Sequence, residues 1–298
     1  DSLEQVNRQK RKDLIGAQSS LSLLEILTKL LEVDLNIRVV DSGELSTFYE
    51  LGGDSLGAML FSASIEEILG VELPADMILS PTGNLQKWTD YIERVLSGSM
   101  DRPTFASIHG KDAINISSYE LNLSNFFGID VLDSVVSLSS PATPSRTVFL
   151  TGANGFLGRF VCLAWLEKLV TIGGTLICVI RATDNASARA RLDAVFTGLD
   201  PKLASRYKLA CDHLEVVAGD VGEARMGLGE ADYQRLSMQV DRVVHVAAKV
   251  NHRFSYADLF GANVLGTAET IRFALLARKK SIDFISSIAV YSLLDTSQ

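Results

Sequence analysis

"TVFLTGANGFLGRF" (Thr147–Phe160) decides how the longer half of this 298-residue chain is built. Val148, Phe149 and Leu150 make an apolar run too short for a helix, closed by Thr151 and Gly152, so it reads as a buried strand. From Phe156 the sequence "FLGRFVCLAWLEKL" is apolar nearly all round and reads as a buried helix. Between them stand Gly152, Gly155 and Gly158. Glycines there let the backbone turn tightly, approach a pyrophosphate closely and pack helix against strand, while the helix N-terminus faces the negative charge. The spacing is G-x-x-G-x-x-G, one residue longer than the G-x-G-x-x-G fingerprint. Asn154, Phe156 and Leu157, lying between these glycines, are candidate contacts for the same ligand.

The same grammar continues downstream. "TLICVIRA" (175–182), "HLEVVAGD" (213–220), "RVVHVAA" (242–248) and "IDFISSIAVYS" (282–292) read as further strands. "ASARARLDAVF" (186–196) and "LFGANVLGTAETIRFALLA" (259–277) read as helices between them. Near-continuous apolar strands alternating with helices imply a parallel sheet covered on both faces, a doubly wound α/β (Rossmann) fold. The end of the second strand selects the dinucleotide. An acidic residue there would hold ribose hydroxyls, but the strand ends in Arg181, with Arg189 and Arg191 on the next helix. A guanidinium suits a 2′-phosphate, so NADPH is expected, with Arg181 and Arg191 as its readers. Arg189 reads equally well as part of an exposed basic face. Small Ala247 and Ala248 at the end of the fourth strand leave room for a cofactor or simply pack tightly, and Lys249 follows them.

The first hundred residues are different. "SLSLLEILTKLLEV" (20–33) places Leu24, Leu27 and Leu31 on one helical face, widened by Leu21, Leu23 and Leu30. A long loop containing Asp41, Ser42 and Gly43 precedes "FYELGGDSLGAM" (48–59), where a helix begins near Ser55. Asp or Ser is the expected cap, and Leu56, Met59 and Leu60 the expected apolar face. "LQKWTDYIERVL" (85–96) spaces Leu85, Trp88, Ile92 and Val95 as a last helix. No stretch here alternates with a period of two, so the region is an α-helical bundle. "SGSMDRP" (97–103) and "SLSSPATPSR" (137–146) read as connectors. The expected organisation is a bundle over 1–96, a linking segment over 97–145 and a dinucleotide-binding part over 146–298.

Composition narrows the partners. The chain is 47% hydrophobic and 21% charged, with a formal net charge of −8, so it offers phosphates no broad basic surface and is not expected to bind nucleic acid. Its one basic run, Arg8, Lys10, Arg11 and Lys12, reads as a solvated leader to the first helix. Cys162, Cys178 and Cys211 are unpatterned, as are His109, His213, His245 and His252, so neither a disulfide framework nor a metal site is expected. No apolar run approaches a membrane span, and a soluble, cytoplasmic protein is expected. The abrupt start and the ending at Gln298 suggest a piece of something larger.

"TGANGFLGRF" in its strand–helix setting resembles the extended short-chain dehydrogenase/reductases. "FISSIAVYS" (284–292) resembles their fifth-strand S-S-x-x-V-Y-G, which implies Ser287 as the active-site hydroxyl. The same resemblance implies Asp220 near the adenine and Asn263 supporting the catalytic region. Tyr291 sits at the V-Y position and is not the catalytic tyrosine; the family's Tyr-x-x-x-Lys pair does not follow Ser287 in this chain. "LGGDSL" (51–56) resembles the phosphopantetheine attachment motif of carrier proteins, which implies Ser55 as the attachment point. With "RPTFASIHG" (102–110), "AAKVNH" (247–252) and "LFGANVLGTAE" (259–269), the whole chain resembles the carrier–reductase portion of carboxylic acid reductases.

That resemblance implies an upstream adenylation domain, a phosphopantetheinyl transferase that loads Ser55 with 4′-phosphopantetheine, and NADPH-dependent reduction of an acyl thioester tethered there to an aldehyde. Alternatives are an aminoadipate reductase, the terminal reductase of a peptide synthetase, or a non-catalytic carrier with an NADP-binding fragment. An epimerase-like sugar enzyme fits less well, because it has no use for the carrier motif.

Overall fold

The computed structural model of the protein describes residues 9–11, 14, 16, 21–39, 46–97, 102–110, 113, 116–127, 129–197, 200–251 and 254–288. Arg8, Lys12, Asp41, Ser42, Gly43, His252 and Tyr291, named above, lie outside the described residues, as do 98–101 of the first connector and 289–292 of the last expected strand. The chain divides into two compact units, Asp1–Pro103 with Ser255–Asp258, and Thr104–Phe254 with Leu259–Gln298.

The first unit is helical. Helix α1 (Leu23–Leu35) starts at a capping box in which the Ser22 hydroxyl accepts from the Glu25 amide and the Glu25 carboxylate accepts from the Ser22 amide. It buries Ile26, Leu27, Leu30 and Leu31, so its inner stripe is centred on Leu30 rather than widened by it. Helices α2 (Ser55–Leu69), α3 (Ala75–Ile78) and α4 (Leu85–Leu96) follow. Leu85, Trp88 and Ile92 of α4 are buried as their spacing predicts, with Val95 partly buried beside them. The centre of the unit is three rings, Phe48, Phe61 and Trp88, with centroids 5.7–6.2 Å apart. Arg11 is not solvated as expected; it pairs with Asp34, whose side chain is buried. Burial raises the Asp34 carboxyl above its ordinary value, and Arg11 opposes that shift.

Helix α2 turns its expected face outward. Leu56, Met59 and Leu60 are 65%, 43% and 52% exposed. The inner stripe is Ala58, Phe61, Ile65 and Ile68, which recur at the helical interval and meet the ring cluster. The turn before the helix accounts for this choice. A Cβ on Gly53 would lie 2.2 Å from the buried Phe48 ring, so the turn is pressed onto that ring and α2 enters with Ala58 and Phe61 inward.

The second unit opens with the short helix α5 (Phe105–His109) and carries one parallel sheet of β1 (Thr147–Thr151), β2 (Thr175–Ile180), β3 (Leu214–Ala218), β4 (Arg242–His245) and β5 (Ser281–Phe284), in the order β3-β2-β1-β4-β5. Alternate residues of each strand face opposite layers. Val148, Leu150, Leu176, Cys178 and Val244 pack with Cys162 and Leu166 of α6 (Gly158–Ile172) and with Leu192 and Phe196 of α7 (Asn185–Thr197). Phe149, Ile177, Val179 and Val243 pack with Leu236 of α8 (Glu230–Gln239) and Phe273 of α9 (Gly266–Leu275). This is the doubly wound arrangement the sequence implies. The order reverses at β1, which lies between β2 and β4.

Two expected elements differ. The fifth strand ends at Phe284; Ile285 still donates to the His245 carbonyl, but Ser286 and Ser287 lie past the strand and are exposed. The helix expected over 259–277 is interrupted by a π-helical turn, Phe260–Leu265, before α9 begins. Its wider turn carries Asn263, and such turns often mark functional positions.

Candidate dinucleotide site and exposed serine

In the second unit the glycine turn sits where β1 and β4 end side by side. Gly152 has φ +73° and is in the left-handed region. A Cβ on it would lie 2.6 Å from the Ala247 amide nitrogen and 2.7 Å from the Ala247 Cα. A Cβ on Gly158 would lie 1.8 Å from the Gly152 carbonyl oxygen. Side chains at these positions would force β1, β4 and α6 apart. Helix α6, 15 residues long, has no side-chain cap at Leu157 and no acidic residue in its first turn, and its positive end faces the glycine turn. Gly155, Phe156 and Leu157 are exposed, and Asn154 is half-buried.

Arg181 follows β2 immediately, and its Nε lies 2.8 Å from Asp220 Oδ2. Arg191 of α7 donates to the Arg181 carbonyl, so both arginines converge at the end of β2. Arg189 is committed elsewhere, to Asp193 one helical turn on, which also accepts from Tyr207. The Asp220 loop is closed by a hydrogen bond from the Asp220 amide to the Met226 carbonyl, across Arg225 and Met226, both at positive φ. Glu269 accepts from the Arg225 amide and holds this strained pair in place. Charge at the β2 end, an α6 start without a side-chain cap and glycines too crowded for a Cβ fit a dinucleotide.

The residues after β4 are held by an unforeseen group. The Thr151 hydroxyl accepts from the Val246 and Ala247 amides and bonds to His245 Nδ1 at 2.8 Å. Asn263 accepts from the Lys249 amide at 2.7 Å and donates to the Lys249 carbonyl at 3.0 Å. Asn263 therefore acts through the Lys249 backbone. His245 is 1% exposed, and burial pushes its imidazole down to about 4. The signal for it was present, since a lone histidine inside "RVVHVAA" needs polar partners when the strand is buried.

In the first unit the question posed by "GGDSL" is answered by Asp54. Its carboxylate accepts from the Gly57 amide at 2.7 Å and caps α2. Ser55 is thereby the first helical residue rather than the cap, and it is exposed. Its hydroxyl projects from a helix start, a setting that favours an attached phosphate. Among the described residues no group of three or more His, Cys, Asp or Glu could hold a metal, and no helix is long and apolar enough to cross a membrane.

A glycine cradle at the switch point of a parallel sheet, with a carrier-type serine in a separate unit, defines a phosphopantetheine carrier joined to an NAD-binding reductase-type domain. The comparisons agree: residues 150–298 match the NAD-binding family described as male sterility protein, and residues 20–92 match the phosphopantetheine attachment site family. The chain belongs to this NAD-binding family and carries the attachment-site domain ahead of it. It is 47% identical over 244 residues to a carboxylic acid reductase of Segniliparus rugosus, covering 82% of this chain and 20% of that protein. It is 44% identical over 244 residues to a carboxylic acid reductase of Mycobacterium tuberculosis, covering 82% and 21%. The second unit also resembles the crystal structure of a reductase domain of a nonribosomal peptide synthetase from Mycobacterium tuberculosis. That match has a TM-score of 0.56 and 42% identity, over 60% of this chain and 42% of the other. The chain thus spans about a fifth of the length of the curated relatives it matches.

The buried histidine makes stability depend on pH. Its folded value of about 4 lies below the ordinary 6.5, so the unfolded chain takes up the proton first. The stabilisation is fully present above 6.5 and is lost as pH falls towards 4. Melting temperature should decline across that window, and His245→Asn should flatten the decline. An unchanged slope in the variant would show that other groups cause it.

Proposed function

We propose that this chain is the carrier–reductase portion of a carboxylic acid reductase, which reduces an acyl thioester tethered to Ser55 to an aldehyde at the expense of NADPH. The observation that carries the reading is the pairing, in one chain, of an exposed helix-start serine with a glycine-cradled dinucleotide site. We assign the carrier to residues 1–96, the linking segment to 97–145 and the NADP-binding part to 146–298. Identity to carboxylic acid reductases well above that to an aminoadipate reductase, 47% against 29%, favours the first reading over that alternative.

The roles follow from chemistry. Gly152, Gly155 and Gly158, with Asn154, Phe156 and Leu157, would seat the pyrophosphate against the positive end of α6. Arg181 and Arg191 would grip a 2′-phosphate, with Asp220 both orienting Arg181 and flanking the adenine. Ala247, Ala248 and Lys249, with Asn263 behind them, would line the other half of the dinucleotide. When bound, NADPH supplies the hydride that reduces the thioester carbonyl. Ser287 would donate a hydrogen bond to the carbonyl oxygen as negative charge develops there. Ser55 would carry 4′-phosphopantetheine, attached by a phosphopantetheinyl transferase. Tethering raises the local concentration of the acyl group, so little intrinsic affinity for it is needed. The acid would be activated by an adenylation domain, and the whole would work in the cytoplasm. Neither nucleic acid nor membrane enters the scheme.

Two substitutions test it. Ser55→Ala should leave the fold intact and abolish loading by a phosphopantetheinyl transferase, read as a missing mass increment; an arm still present on the Ala variant would refute the assignment. Arg181→Ala removes a charge-assisted contact worth on the order of 1.5–3 kcal/mol, about tenfold or more in affinity. It also leaves Asp220 without its partner, a loss common to both cofactors. NADPH binding should therefore weaken much more than NADH binding in parallel titrations, and equal losses would make Arg181 purely structural.

A further inference from the structure

The hydroxyls and amides around His245 form a single relay whose proton positions can be worked out. Thr151 Oγ1 accepts from two amides, Val246 at 3.2 Å and Ala247 at 3.1 Å, which occupies both lone pairs. Its one proton therefore goes to His245 Nδ1, 2.8 Å away. Nδ1 must accept, so a neutral ring carries its proton on Nε2. Nε2 lies 3.5 Å from Thr267 Oγ1, whose own proton is donated to the Asn263 carbonyl at 2.6 Å. The Asn263 side chain in turn binds the Lys249 backbone through both of its polar atoms. Thr270 also approaches Nδ1, at 3.4 Å, but its proton is donated to the Gly266 carbonyl at 2.9 Å, so it stands outside the relay.

The relay has a functional geometry. Val246 and Ala247 begin the segment after β4, and Lys249 lies near its end. Both are held, one through Thr151 and the other through Asn263, and the imidazole joins the two arms. Phe284 of β5 stacks over the ring at 5.5 Å and closes the site on that side. Burial keeps the ring neutral near pH 7, as the relay requires. Arg181 and Asp220 mark the β2–β3 side of β1 as the adenosine side, so the nicotinamide end of the dinucleotide falls over β4, on this segment.

We propose that His245 is a positioning residue: as a neutral, Nε2-protonated imidazole it fixes Val246–Lys249 in the shape that receives the nicotinamide half of the cofactor. The proposal rests on the dinucleotide reading above. It concerns a residue that touches neither cofactor nor substrate. Its effect travels through Thr151 on one side and through Thr267 and Asn263 on the other.

The test uses the intact chain and does not depend on turnover. Nitrogen NMR of histidine-labelled protein at pH 7, assigned with His245→Asn, should give an unprotonated Nδ1 and a protonated Nε2 for His245. The opposite tautomer, or a doubly protonated ring, would overturn the relay without any variant having to fold. Amide exchange should then show Val246, Ala247 and Lys249 protected in the parent and unprotected in His245→Phe, which keeps a ring but no nitrogen. His245→Asn can place an oxygen where Nδ1 accepts, and should restore part of the protection at Val246 and Ala247. NADPH titration should weaken about tenfold for His245→Phe and for Thr267→Val, the loss of one well-placed polar link. Thr270→Val should leave the affinity unchanged. Unaltered exchange in His245→Phe would refute the positioning role. Altered exchange in His245→Phe, together with a parent that binds no dinucleotide, would instead refute the cofactor reading, and with it the purpose assigned to the segment.

Discussion

The ends of β1 and β4 approach so closely that the residue between them can have no side chain. A Cβ on Gly152 would intrude on the Ala247 backbone, and one on Gly158 would strike the Gly152 carbonyl. From this contact the rest of the second unit follows. It draws the start of α6 against the turn, it brings Thr151 within reach of the amides that follow β4, and it places His245 where both arms of the relay meet. A parallel sheet whose order reverses at β1 needs a crevice at that point. Here the crevice is formed by backbone, with polar side chains behind it setting its shape.

The first unit makes a similar choice with a different pair. Gly53 lies against Phe48, and Asp54 satisfies an amide that Ser55 could otherwise have capped. Dividing the work this way leaves the serine hydroxyl at the surface of a stable helix. Around it the same helix exposes Leu56, Met59 and Leu60, apolar residues that its own core does not use. A serine acting as the cap would have turned its hydroxyl inward to the first-turn amides. The attachment proposed for Ser55 and the helix start would then have competed for one oxygen.

Much of the sheet could be read directly from the chain, because strands buried on both faces are apolar throughout and glycines at a strand–helix junction have few other uses. Helix α4 was equally legible, since Leu85, Trp88 and Ile92 are the only apolar stripe it offers. Helix α2 was not: Leu56, Met59 and Leu60 compete with Ala58, Phe61 and Ile65 on composition, and the contact of Gly53 with Phe48 decides between them. The end of β5 was misread because Ile285 and Ile288 continue its apolar character past the last paired residue, and both are exposed. Arg189 and Arg191 stand two apart on α7 and point to different faces, so only one can turn towards the end of β2; the structure turns Arg191 there and ties Arg189 to Asp193. His245 escaped notice because pattern reading registers where apolar residues recur and is blind to hydroxyls brought to β4 from β1 and α9.

The proposed function requires the crowded junction of β1 and β4 to seat NADPH in one orientation. A crystal structure of the chain with NADPH tests it most directly. The pyrophosphate should lie at the start of α6, the 2′-phosphate on Arg181 and Arg191, and the nicotinamide over Ala247–Lys249. A dinucleotide bound away from Gly152–Gly158, or lying in the reverse direction with its nicotinamide at Arg181, would contradict it.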